Sequence, residues 1–171
     1  MTVVITGERN VGKTTVVRGI VDRLRDRDVS LAGFYTSGGP ETLELVSAET
    51  GERTRFASQG NDIADGPTVG RYTVDPAAID RGLSWIDRPG DVLVVDEIGK
   101  LEARGDGFAT GLTGIHPDRY LGIVVSVREG YETVVTEALP KREPIELFEV
   151  TESNRDAVPA RIVGRFAIDE G

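Results

Sequence analysis

Gly7-Glu8-Arg9-Asn10-Val11-Gly12-Lys13-Thr14 decides how the rest of the chain is read. The stretch fits G-x-x-x-x-G-K-[ST], the phosphate-binding loop motif. The apolar run Val3-Val4-Ile5 precedes it. Thr15-Val16-Val17-Arg18-Gly19-Ile20-Val21 follows it with a helical apolar period. The strand–loop–helix setting that the motif requires is therefore present. In such a loop, backbone N–H groups point inward at a helix N-terminus and form a nest for anions. Gly7 and Gly12 permit dihedrals and close approaches that a Cβ would block. Phosphate contacts are expected from Gly7, Glu8, Arg9, Asn10, Val11, Gly12, Lys13, Thr14 and Thr15. Lys13 is placed to reach β- and γ-phosphates, and the Thr14 hydroxyl to help hold Mg²⁺. A glycine turn that merely caps an ordinary helix is the plain alternative, and the flanking pattern disfavours it.

Working outward, residues 2–6 read as a strand and Thr14 to about Arg27 as a helix. Residues 29–36 read as the next strand, broken by Ser37-Gly38-Gly39-Pro40. Glu41–Ser47 and Arg53–Ala57 read as an antiparallel hairpin, giving an insert over about residues 37–58. Gln59 to Val69 is polar and glycine-containing, the pattern of a mobile loop, and Arg71–Val74 reads as a short strand. Asp75-Pro76 starts a helix, with Asp as N-cap and Pro in the first turn. Ile79, Leu83 and Ile86 form its apolar stripe, Pro89-Gly90 closes it, and Trp85 beside the stripe is expected in the core. Further helices are expected near 106–115 and 131–138, with the glycines at 105, 107, 111 and 114 weakening the first. The apolar runs Val92–Val95 and Leu121–Val125 suit strands buried on both faces, and Ile145–Val150 a last core strand. This strand–helix alternation predicts an α/β fold: a doubly wound, mostly parallel sheet with an added antiparallel hairpin, in one domain over 1–171.

Val92–Val95 runs straight into Asp96-Glu97. A carboxylate at the end of a buried strand can hold Mg²⁺, so Asp96 joins Thr14 as a metal residue. Glu97 is placed to orient and deprotonate a water that attacks a γ-phosphate. A solvated strand-end Asp-Glu is the plain alternative. Asp96-Glu97-Ile98-Gly99 also fits D-x-x-G of switch GTPases, but no N-K-x-D occurs in the chain, which points to weak base selectivity. Ser126 ends the next strand, at the sheet edge where functional groups collect. Arg128 is the candidate for neutralising charge in the transition state, with Arg9 and Arg142 as rivals.

Bulk composition narrows the field. The 171 residues carry 29 acids against 20 bases, a net charge of −9, which makes nucleic acid or an anionic membrane a poor partner. There is no cysteine, hence no disulfide or thiol chemistry. The one histidine, His116, reads as a surface residue before Pro117. No run approaches the ~18 apolar residues of a membrane span. A strand almost at the N-terminus leaves no room for a signal peptide, so a cytoplasmic location is expected. Only Lys13, Lys100 and Lys141 are lysines, and many carboxylates with few lysines suit a high-salt cytoplasm.

Taken together, the chain resembles the small P-loop nucleoside-triphosphatase family that includes cancer-related nucleoside-triphosphatase. The resemblance runs nearly end to end. It is carried by Gly7–Thr15, Gly33-Phe34-Tyr35-Thr36, Val69–Asp75, Asp96-Glu97-Ile98-Gly99-Lys100-Leu101-Glu102 and Val150–Asp156. It implies a RecA-like fold and a Mg²⁺-dependent enzyme that hydrolyses several nucleotides slowly. It also implies that Lys13, Thr14, Asp96 and Glu97 hold the roles argued above. Ser37–Glu44 is short and acidic where the family has a longer basic stretch, so no substrate role is carried over to it. Leu101 replaces the more usual Met, a mild apolar exchange. Asn154 follows the last core strand and is a candidate for nucleoside contact; as a plain alternative it caps the helix before Val158–Val163.

Hydrolysis of nucleoside triphosphates is thus the leading expectation. A nucleotide or small-molecule kinase would share the loop, but Lys141-Arg142 is a thin basic lid and Glu97 favours water as acceptor. A nucleotide-gated binding or assembly factor is the third reading.

Overall fold

The Val- and Ile-rich runs form the centre of a nine-stranded sheet with the order β5-β6-β4-β3-β2-β7-β8-β1-β9. A computed structural model describes residues 1–60, 62, 63, 65–139 and 144–166. The parallel half holds β1 (Thr2–Thr6), β2 (Leu31–Gly38), β7 (Val92–Ile98), β8 (Gly122–Val127) and β9 (Ile145–Glu149). β8 lies between the strand that feeds the glycine loop and the strand that ends in the acidic pair. This interposed order is the RecA-like arrangement expected from the resemblance.

Period-two alternation assigns each face. Val3, Ile5, Val92, Val94 and Val124 point to one side, where α1 (Lys13–Arg25) and α6 (Val158–Val163) cover them. Val4, Leu93, Val95, Ile123 and Val125 point to the other, under α2 (Pro76–Ile86), α4 (Ala109–Thr113) and α5 (Glu132–Ala138). Val92–Val95 are wholly buried, as a strand covered on both faces must be. Trp85 is wholly buried in the second core, and His116 is exposed.

The antiparallel half is built from β3 (Thr42–Ser47), β4 (Arg53–Ser58), β5 (Thr68–Val69) and β6 (Tyr72–Val74). The expected hairpin is present, and its strands continue the central sheet. β2 runs on through the expected break at Ser37-Gly38 because Ser37 and Gly38 pair with Glu44 and Leu43 of β3. The expected loop over Gln59–Val69 ends in β5, which turns at Gly70 to pair with β6.

Local signals explain several ends. The Asp75 carboxylate accepts a hydrogen bond from Ala77 N at 2.9 Å and Pro76 opens α2, as the Asp-Pro pair predicts. α2 stops at Ile86, before Pro89-Gly90. The glycine-rich stretch near 106–115 holds only the short α4, and a turn of helix, α3 (Lys100–Ala103), stands ahead of it. Glu102, on α3, turns inward and accepts from Gly99 N at 2.9 Å and Phe108 N at 3.1 Å, stapling that segment. Burial pushes its carboxyl pKa up, and the two amides pull it back.

Candidate active site

β1 ends at Thr6 and the chain turns sharply at Gly7, whose φ is 142°. A methyl group there would stand 2.5 Å from Val150 O, so only glycine lets the loop start beneath the exit of β9. Val150 N donates to Thr6 O at 2.8 Å and fixes the two exits together. Asn10 and Gly12 are also left-handed, at φ 64° and 107°, which folds the backbone into the expected nest. Glu8, Arg9, Asn10 and Thr15 are exposed, while Val11 is half-buried against the core beneath α1. Lys13 is buried; its Nζ spans the loop and donates to Gly7 O at 2.7 Å and Glu8 O at 2.8 Å. Burial lowers the Lys13 pKa, with Glu97 the largest opposing influence.

The acidic pair faces this loop from β7. Asp96 is 1% exposed and every oxygen of its carboxylate is held. Oδ2 accepts from Thr36 N at 2.9 Å, Thr36 Oγ1 at 2.7 Å and Thr14 Oγ1 at 3.1 Å. Oδ1 accepts from Ser126 Oγ, which in turn accepts from Glu97 N at 2.8 Å. Thr14, Asp96 and Ser126 are therefore brought together as the sequence suggests. Thr36 is a member that sequence reasoning missed. Its position where β2 leaves β7 is the available signal, and only the strand order reveals the neighbourhood.

Glu97 departs from the strand. The β7–β8 register runs Val95↔Val125 and resumes at Ile98↔Val127, so Asp96 and Glu97 together oppose Ser126. This is a β-bulge, and Glu97 takes its left-handed position at φ 69°. Asp96 thus stays in the sheet while Glu97 swings to the cleft mouth, with 41% of its side chain exposed. Protein crowded around the carboxyl pushes its pKa up, and Asp96 adds to this; Arg128 pulls the other way. Arg128 Nη2 lies 3.7 Å from Glu97 Oε1, which brings the candidate arginine to the site. Arg142 lies outside the described residues, as does Lys141.

Two further residues frame the cleft. Glu132, at the start of α5, accepts from Thr6 Oγ1 at 2.5 Å, and that bond lowers its pKa. Asn154 Oδ1 accepts from Thr151 N at 2.9 Å and its Nδ2 donates to Glu149 O at 2.9 Å. Both ends of the Asn154 amide thus tie down the loop after β9. The helix-cap alternative is corrected, because Ala157 occupies the N-cap of α6 and no side chain caps it. Two surface hollows beside Tyr120 lie at the opposite ends of these strands and include no residue of the loop or the acidic pair.

Among the described residues no three acidic or His side chains gather. One carboxylate beside a Thr hydroxyl is a hard oxygen donor set. It fits a divalent ion that takes its other ligands from phosphate and water.

A glycine nest, a buried Lys13 followed by the half-buried Thr14, and a strand-end Asp-Glu separated by one strand define a P-loop nucleotide-binding enzyme. The model of an NTPase family matches residues 2–163, and the chain belongs to that family of nucleoside-triphosphatases. It is 34% identical over 131 residues to nucleoside-triphosphatase THEP1 of Caldivirga maquilingensis, spanning 74% of this chain and 75% of that one. It is 31% identical over 169 residues to THEP1 of Methanopyrus kandleri, covering 94% and 92%. Human cancer-related nucleoside-triphosphatase is 29% identical over 178 residues, at 94% of each chain. The crystal structure of THEP1 from Aquifex aeolicus superposes with a TM-score of 0.77 at 28% identity, over 98% of this chain and 99% of that one. Nucleoside triphosphate hydrolysis is the reaction class of this enzyme. Among the described residues no helix is long and apolar enough to cross a membrane.

Proposed function

We propose that the cleft hydrolyses nucleoside 5′-triphosphates to diphosphate and phosphate with Mg²⁺, slowly and with broad base tolerance. The observation that carries this division of labour is the hydrogen-bonded knot of Thr14, Thr36, Asp96 and Ser126, with Glu97 bulged out beside it. Thr14 and Asp96 would hold Mg²⁺, which when bound draws charge from the phosphate oxygens. Lys13 and the loop amides bind the triphosphate. Glu97 accepts a proton from the attacking water; its raised pKa makes it a stronger base than a solvated glutamate. Arg128 offsets negative charge that develops as the bridging bond breaks. Water as the acceptor distinguishes this reading from a kinase. An enzyme that consumes nucleoside triphosphates belongs where they are supplied, and we place the chain, as one functional unit, in the cytoplasm.

Phosphate release from ATP, GTP, CTP and UTP, with Mg²⁺ or with chelator and without any added acceptor, tests the reading. Lys13→Ala is expected to abolish tight binding. Glu97→Gln is expected to keep binding and lose hydrolysis by ~10²–10⁴-fold. Wild-type turnover by Glu97→Gln would overturn the assignment of the base.

A further inference from the structure

Arg155 lies in the loop between β9 and α6, and its side chain runs along the phosphate loop. A methyl group on Gly12 would meet Arg155 Cδ at 3.4 Å and Nη1 at 3.8 Å. The residue is exposed and makes no ion pair or side-chain hydrogen bond with any described residue. What distinguishes Arg155 is its place: its guanidinium lies against the glycine loop, whereas those of Arg53, Arg81, Arg88, Arg128 and Arg165 are engaged by carboxylates elsewhere or at Glu97. Its own loop is tied down by hydrogen bonds: Asn154 pins it through both amide ends, and Arg155 N donates to Thr151 O at 3.1 Å.

The strand order says which part of a nucleotide would come there. Asp96 and Glu97 lie on β7 and Arg128 directly follows β8, on one side of β1. β9 and its loop lie on the other side. A triphosphate held by the loop with its γ end toward Glu97 must trail its nucleoside toward the β9 side. We propose that the Arg155 guanidinium stacks on the base of the bound nucleotide, and that this residue, rather than Asn154, is the nucleoside contact of the loop. This rests on reading the cleft as the nucleoside triphosphate site. A flat cation over a π face reads neither donors nor acceptors, so the contact adds affinity for every base, and more for the larger purine face.

Equilibrium binding of ATP, GTP, CTP, UTP and inorganic tripolyphosphate, each with Mg²⁺, tests this in wild type, Arg155→Ala and Arg155→Lys. Arg155→Ala is expected to raise Kd for all four nucleotides by roughly 3- to 20-fold, most for the purines. Tripolyphosphate, which has no base, should bind as before. Arg155→Lys, which keeps the charge but not the plane, should remain weakened. Unchanged nucleotide affinity in Arg155→Ala overturns the proposal. So does a loss shared equally by tripolyphosphate, which would make Arg155 a phosphate contact. Failure of the wild type to bind any nucleotide would instead overturn the reading of the cleft itself. Arg155 is exposed and has no ion-pair partner among the described residues, so a thermal melt matching wild type is expected of both variants.

Discussion

Glu97 shows how one residue is tuned by opposing neighbours. Crowding and the adjacent Asp96 carboxylate disfavour its charge, and Arg128 restores part of it. As the proposed base, Glu97 must be ionised to act, so its raised pKa is expected to move the acid limb of the kcat–pH profile above the ~4.3 of an ordinary glutamate. Arg128→Ala should move that limb higher still, whatever it does to the maximum rate; a limb that falls would show that Arg128 does not face the base. The same shift has a sign for stability. A carboxyl whose pKa is raised on folding contributes favourably below its ordinary value, and the contribution is lost as pH rises through the raised one. At neutral pH the ionised Glu97 is therefore a burden, and its left-handed backbone adds to it. Glu97→Gln should melt at or above the wild-type temperature at pH 7, and a clear fall would refute this account. The residue types of the candidate site are legible because phosphate binding and the proposed metal and base roles each call for a particular side chain at a particular spacing. Thr36 is not, because its role comes from a neighbour 60 positions away in the chain.

Element by element, the signals that held were those with a local cause. The Asp75-Pro76 start of α2 and the continuous apolar runs of β7 and β8 depend on residues a few positions apart. What escaped depends on pairing. β2 continues past Ser37-Gly38 because β3 lies alongside, and the bulge at Asp96-Glu97 exists only against β8. The β2–β7 contact supplies a sharp test. Gly33 has φ 83°, and a methyl group there would stand 1.9 Å from Val94 O. Gly33→Ala should cost at least about 2 kcal/mol in a denaturant melt, through backbone strain and a forced separation of these strands. A wild-type midpoint would mean that the strands separate freely. Glu102→Gln tests the staple after β7. Glutamine offers one acceptor oxygen where two amides donate, so a buried N–H is left facing an NH₂. A loss of about 1–3 kcal/mol is expected, read from the same melts. No loss would make the staple incidental.

For the molecule as a whole, net charge is the term that acts at long range. A net charge of −9 repels itself, and exposed pairs such as Arg88–Glu49 at 2.6 Å return little against that. Raising salt shortens the screening length from ~10 Å at 0.1 M to ~3 Å at 1 M. The melting temperature should therefore rise with KCl over that range, and a fall would show that ion pairs outweigh the repulsion. The division of the sheet carries a different consequence. Except for the Arg155 loop, the site is drawn from the carboxyl ends of β1, β2, β7 and β8, and β2 passes directly from Thr36 into the antiparallel strands. None of the site residues belongs to β3–β6. That wing is free to lengthen, shorten or change sign while the chemistry beside it stays constant. Its tip is thus where relatives sharing one reaction are free to acquire different neighbours.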